Sequence, residues 1–324
     1  MFRKVHTISM ASNDIDAVKK TYMDVLGMAP PARTTVYEKG RYREHSFLIG
    51  DIVFELLQPL EGTDGPGGGG MKRFLQRHGE GLYLITVAVD DPEKYAKGLE
   101  AKGVKVFWDV PDHGVTTAGT DKPYTTASEH PTHPLIHPRY THGVLWELSR
   151  HNPKARRDPA PQNQPFKKVR TISIACNDID AALKTYTEVL GVEYIRSTRF
   201  PEGKYREHTL RMGDVVLELL QPLEGTEGPG GGAMKRFLQS RGEGLYLITV
   251  DVDDPEGYAK SLEAKGVRIA WDVVSQIQQV GGAPRAHQAP SGKRQVHPLI
   301  HPRNTHGILW ELSTAGTPSL SETA

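Results

Sequence analysis

The sequence predicts an α+β protein of two tandem domains, each built from a pair of β-α-β-β-β modules. Two observations carry this. First, the chain repeats itself: REHSFLIGDIVFELLQPLEGTDGPGGGGMKRFLQ, from Arg43 to Gln76, returns as REHTLRMGDVVLELLQPLEGTEGPGGGAMKRFLQ from Arg206 to Gln239, an offset of 163 residues. A period that long means two similar domains, because solenoid repeats run about 20–50 residues. Second, within each copy short strand-like patterns alternate with helical ones, and the order occurs twice.

The copies span residues 5–149 and 169–313. Each opens on a strand, Val5 to Met10 or Val169 to Ala175, followed by Asn-Asp-Ile-Asp, where Asn13 or Asp14 can accept from the free N–H groups of a helix start. Ala17, Val18, Tyr22, Val25 and Leu26 then recur at helical spacing and stop at Gly27, a suitable C-terminal cap. His45 to Ile49 and Ile52 to Leu57 form a hairpin reversing at Gly50-Asp51. After the Gly-rich stretch Gly62 to Gly70, a short helix runs from Met71 to Arg77. The pattern then restarts with a strand from Leu82 to Val89, a helix from Pro92 to Lys102, a strand from Val104 to Trp108 and a closing strand from Gly143 to Ser149. The segment between Trp108 and Pro134 diverges most between copies and is expected to be an inserted loop. These features set expected boundaries at 1–150, a Pro-rich semi-rigid linker at 151–165, a second domain at 166–313 and a flexible tail at 314–324.

With 40 basic and 39 acidic residues, a net charge of +1 gives no electrostatic footprint for nucleic acid or an anionic membrane. A small-molecule partner is expected, with room for a homo-oligomer. The one cysteine, Cys176, excludes an intramolecular disulfide and a Cys-rich zinc site, and is expected to fill space on a buried strand. No stretch approaches the ~18 apolar residues of a membrane span, and no apolar signal region follows Met1, so a cytoplasmic protein is expected.

The paired modules, ELLQPLEG followed by KRFLQxxGEGLYLITVAVDD, and the closing HPLIHPRYTHGVLWEL together resemble the vicinal oxygen chelate superfamily, the glyoxalase fold, and within it the epimerases. The resemblance covers nearly the whole chain, once per copy. It implies a cupped mixed sheet in each domain, holding a divalent metal (Zn, Mn, Co, Ni or Fe) that polarises a carbonyl while a carboxylate moves a proton. Carried over by position, the implied ligands fall on His6, Glu55 and Glu147. The fifth-strand ligand falls on Leu84, where the family's GLHHIAF is replaced by Gly81-Leu82-Tyr83-Leu84. In the second copy the positions are Arg170, Glu218, Leu247 and Glu311, which implies a degenerate site with Arg170 neutralising the two carboxylates.

Glu55 and Glu147 sit in strongly apolar strands, where an unpaired carboxylate is costly, and are the expected ligands and proton carriers. Strand alternation, with Arg211 in place of Leu48 marking the wet face, puts His45 inward beside Glu55. His45 then either replaces the imidazole missing at Leu84, as ligand or acid/base, or binds substrate or a neighbouring carboxylate. His133, His137 and His142 are expected in structural or substrate-contacting roles. Gly67 to Gly70, ahead of Lys72 and Arg73, is expected to be a flexible connection between modules, the alternative being a cradle for a phosphate of a coenzyme A ester. Tyr83 and Tyr246 are expected to turn away from a ligand face containing Leu84, Thr86 and Ala88 and to pack against helices. The expected function is a metal-dependent epimerase, isomerase or lyase acting next to a polarised carbonyl of a small acid or acyl thioester. The alternatives are a metal-free sequestering protein of the same fold and an extradiol-type dioxygenase.

Overall fold

The computed structural model describes residues 2–64, 67–109, 115–119, 133–152, 160–201, 203–227, 230–274, 278–282 and 295–314. Most of the expected tail, the middle of the expected linker and most of the divergent segment lie outside them.

The first half comprises β1 (Lys4–Ala11), α1 (Ile15–Lys20), β2 (Arg33–Tyr37), β3 (Tyr42–Ile49), β4 (Ile52–Pro59), α2 (Gly68–His78), β5 (Gly81–Val89), α3 (Pro92–Ala101), β6 (Val106–Asp109), β7 (Val115–Gly119), β8 (His133–Ile136) and β9 (Leu145–Arg150). The second half repeats the order as β10 (Lys168–Ala175), α4 (Ile179–Lys184), β11 (Glu193–Phe200), β12 (Tyr205–Met212), β13 (Val215–Pro222), α5 (Gly231–Arg241), β14 (Gly244–Val252), α6 (Pro255–Ala264), β15 (Ile269–Val274), β16 (Gln278–Gly282), β17 (Gln295–Ile300) and β18 (Leu309–Thr314). α1 starts at Asp14, whose carboxylate accepts from the backbone N–H groups of Asp16 and Ala17. The helix then widens into a π turn over Thr21–Val25, in which Leu26 N–H reaches Thr21 O at 3.2 Å.

Each half is one nine-stranded mixed sheet, ordered β6-β8-β9-β5-β1-β4-β3-β2-β7 in the first. The two modules join where β1 pairs antiparallel with β5, while within the first module β1 pairs parallel with β4. The divergent segment, expected to be a loop, contributes β7, which pairs with β2 at the edge farthest in sheet order from β6. Only residues 110–114 separate β6 from β7, and a chain covers at most about 3.5 Å per residue, so the two edges lie within about 20 Å of each other. The sheet is therefore rolled into a nearly closed cup, as the resemblance implied. In the second half β15 and β16 impose the same closure.

The convex faces carry Ile8, Met10, Phe54, Ile85 and Trp146 with their counterparts, and these join one continuous apolar core spanning both halves. Tyr22 and Trp310 illustrate the joint: the indole donates to the Tyr22 hydroxyl at 3.0 Å, while Trp146 donates to Tyr186 at 3.3 Å. The halves approach closely where Gly143 and Gly307, both at positive φ, meet the other half. A Cβ on Gly143 would stand 1.8 Å from Glu243 O, and one on Gly307 2.0 Å from Glu80 O, so no side chain fits at either. The end of the expected linker is docked, with buried Gln164 donating to Leu48 O at 2.6 Å. Cys176 is buried just past the end of β10. Among the described residues no helix is long and apolar enough to cross a membrane.

Candidate functional site

The concave face of the first sheet is set by register. Ser46, Glu55, Ser9, Leu84 and Leu145 form one cross-strand row, and Glu147, Thr86 and Thr7 the next. Glu55 and Glu147 thus stand on one face, as expected, and Glu44, which accepts from Ser46 Oγ, shares it. Glu55 accepts from Ser9 Oγ at 2.7 Å. Glu147 accepts from Thr86 Oγ1 at 2.7 Å, and its other oxygen meets His133 Nδ1 at 2.6 Å. Because a carboxylate offers no donor, the imidazole N–H must donate.

The two carboxylates sit in opposed environments. Burial, then the neighbouring Glu44, push Glu55 well above the usual carboxylate range, with Glu147 adding to the shift against Ser9. Burial also pushes Glu147 upward, but the hydrogen bond and charge of His133, with Thr86, outweigh it and leave Glu147 below its ordinary value. The second half repeats the set: Ser173 on Glu218 at 2.9 Å, Thr249 on Glu311 at 3.0 Å and His297 on Glu311 at 2.6 Å. Sequence reasoning missed this role for His133 and His297; their recurrence in HPLI opposite a buried Glu was the available signal.

His6 reaches the concave side through a register shift between Val5 and Thr7, and its Nδ1 meets Ser149 Oγ at 2.8 Å. Arg170 occupies the equivalent place but does not bridge Glu218 and Glu311 as expected. Its guanidinium is bidentate on Asp251, at 2.8 and 2.9 Å. Asp251 stands where the first copy has Ala88, so the charge and its partner were exchanged together.

His45 does not face the cup. Register pairs Ser46 with Glu55, and His45 points to the helix side, where Nε2 lies 3.0 Å from Asp16 Oδ1 and Nδ1 2.8 Å from Thr34 Oγ1. Burial pushes its pKa down, consistent with a neutral ring donating to Asp16. His208 makes the same contacts to Asp180 and Ser197. The parity argument failed because Arg211 belongs to the concave face near the strand end, where it pairs with Glu193 at 3.3 Å. Tyr83 packs on a helix as expected, against Phe74 of α2, but does not turn away from the cleft. A register shift between Ser9 and Met10 lets both Tyr83 and Leu84 line the cleft, with Tyr83 edge-on to Phe74 at 5.0 Å.

The cleft over this face has a volume of about 780 Å³. Leu57, Leu84 and Leu145 line it with Glu147, α2 contributes Met71 and Phe74, and α5 of the second half contributes Arg241. Glu55 stands on the same sheet face but does not line the cleft. Among the described residues no three His, Cys, Asp or Glu side chains group as a set that could hold a metal. The implied set of His6, Glu55, Glu147 and His45 is therefore not brought together: His45 is turned away, Leu84 supplies no donor and His6 meets Ser149.

Residues 4–147 match one family profile and residues 171–282 another, both described as the Glyoxalase/Bleomycin resistance protein/Dioxygenase superfamily. The chain belongs to this superfamily. The glyoxalase-fold chain is 27% identical over 148 residues to mitochondrial methylmalonyl-CoA epimerase of Bos taurus, covering 46% of this chain and 74% of that protein. It is 28% identical over 149 residues to the Homo sapiens protein of the same name, covering 46% and 74%. Its fold is similar to a variant of 4-hydroxymandelate synthase from Streptomyces coelicolor, with a TM-score of 0.65 and 13% identity, over 100% of this chain and 97% of that one.

Proposed function

We propose that the first half is a proton-transfer enzyme of the isomerase or epimerase type, acting at a C–H bond next to a carbonyl of a small acid or acyl thioester. One observation carries the reading: Glu147 stands in the wall of an apolar-lined cleft on the concave sheet face, fixed by Thr86 Oγ1 and His133 Nδ1, whereas Glu243, the other carboxylate lining it, is tied to His142 and the backbone N–H of Asn177. A carboxylate so placed can take a proton from bound substrate and return it, and His133 steadies the ionised form. Glu55 supplies a further, half-buried carboxylate of the same face. Opposed environments for two carboxyl groups are the arrangement that separates an acid from a base. The 27–28% identity to methylmalonyl-CoA epimerases supports the same class.

A divalent metal, as the resemblance implies, would stabilise negative charge developing on the carbonyl oxygen. The described residues do not assemble a three-donor set for it, so no step is assigned to a metal here. The test is solvent-deuterium exchange, followed by NMR, over a panel of 2-substituted acids and acyl thioesters. Exchange at the carbon next to the carbonyl supports the reading. Binding of panel members without any exchange would replace it with the sequestering protein, a role that the apolar Leu84 and Leu145 also suit.

A further inference from the structure

The cleft contains cations that the proton-transfer chemistry does not use. Arg241, the last residue of α5, crosses from the second half. Its Nη1 donates to Glu80 O at 3.0 Å, and its guanidinium lies 6.0 Å from the Phe237 ring centroid. Among the described residues no carboxylate lies within ion-pair distance of it. Burial lowers its pKa and no acidic neighbour offsets the effect. The space is made by Gly81, where a Cβ would stand 2.8 Å from Nη1. Arg73 and Arg77, exposed on α2, line the same cleft and likewise have no acidic partner among the described residues. The position equivalent to Arg241 in the first half is His78, so the repeat has placed a permanent charge on one side only.

A half-buried guanidinium with no carboxylate beside it among the described residues is a ready site for a ligand's anionic group, which would supply the missing counter-charge. We infer that the cleft takes an elongated substrate whose reacting end meets Glu147, whose apolar middle lies along Phe74 and Leu84, and whose remote anionic group is held by Arg241 with Arg73 and Arg77. This inference rests on the proposed reading of the cleft as the substrate site and assigns it a substrate class. It also makes the site incomplete without the second half, which contributes the half-buried Arg241.

The test uses two fluorescent probes that differ by one charge: 1-anilinonaphthalene-8-sulfonate and N-phenyl-1-naphthylamine, the latter lacking the sulfonate. Both are titrated into the full chain. Arg241→Leu is expected to raise the sulfonate probe's Kd at least tenfold and leave the neutral probe's unchanged, with partial recovery in Arg241→Lys. Because the Arg241 variant could fold poorly, Arg73→Leu/Arg77→Leu, on an exposed helix face, gives an independent arm with the same expected direction. Equal changes for both probes, or no change for the sulfonate probe in either variant, would overturn the anion site. The readout needs no turnover, so loss of the isomerase reading with charge discrimination intact would be recognised as such.

Discussion

His306 Nδ1 lies 3.0 Å from Glu80 Oε2, so an imidazole from the last hairpin of the second half fastens the turn that leads into β5 of the first. His142 and Glu243 make the reciprocal contact at 2.8 Å. Both histidines adopt φ 53°, a left-handed conformation that a non-glycine residue holds only when its surroundings impose it. The THG sequence before each final strand is therefore an interdomain clasp.

Glu80 also accepts from Ser12 Oγ at 2.6 Å and Asn13 N–H at 3.0 Å. The His306 hydrogen bond, against burial and with these two donors, holds its carboxyl down at about 2. A lowered carboxylate pKa adds stability that is complete above the unfolded value of about 4.3 and is lost as pH falls toward 2. Glu80→Gln should cost about 1.5–3 kcal/mol at pH 7, and the difference from wild type should vanish by about pH 2. Urea melts at pH 7, 4 and 2.5 measure this; a deficit that stays constant with pH contradicts the assignment.

His45 pins α1 to β3 through Asp16, with Thr34 behind it. His45→Ala should destabilise the fold by about 1–3 kcal/mol, since a buried ring is removed together with its hydrogen bonds to Asp16 and Thr34, while turnover per folded molecule stays within a few-fold. A folded His45→Ala protein with turnover down by a factor of 100 would return this residue to the site.

Arg170→Ala strands Asp251, which is only 5% exposed, and should cost about 3–5 kcal/mol. Restoring the first-copy pair with Arg170→His/Asp251→Ala should recover most of that loss, a non-additivity that denaturant melts of the two single variants and the double variant will show. Additive losses would mean that the two residues do not act as a pair.

Leu84 shares its cross-strand row with Glu55 and Ser9. Leu84→His should therefore add an imidazole to the concave face and raise zinc affinity at least 100-fold over wild type by competition with a chromogenic chelator. Equal stoichiometric zinc binding by wild type at the same affinity would show that other side chains already assemble the set.

The repeat, the cupped sheets and the concave placement of Glu55 and Glu147 were legible because each follows from strand identity and register. Two kinds of feature were not. Register shifts beside His6 and Tyr83 break the alternation on which parity arguments depend. Long-range partners such as His133 with Glu147, or Arg241 over Gly81, lie 14 and 160 residues apart and have no local periodicity to announce them. The Arg211 substitution misled because a charge on the concave side can be satisfied by an ion pair, here with Glu193, instead of by solvent on an outer face.

The central claim is that proton transfer belongs to Glu147 in the first half, although the second half repeats the Glu–His pair as Glu311 and His297. Solvent-deuterium exchange into one accepted substrate, followed by NMR for Glu147→Gln and Glu311→Gln side by side, measures this directly. The account predicts a loss of about 10²–10⁴ in exchange rate for Glu147→Gln and a rate within a few-fold of wild type for Glu311→Gln. Exchange abolished by Glu311→Gln and retained by Glu147→Gln, both well folded, would place the chemistry in the other cup.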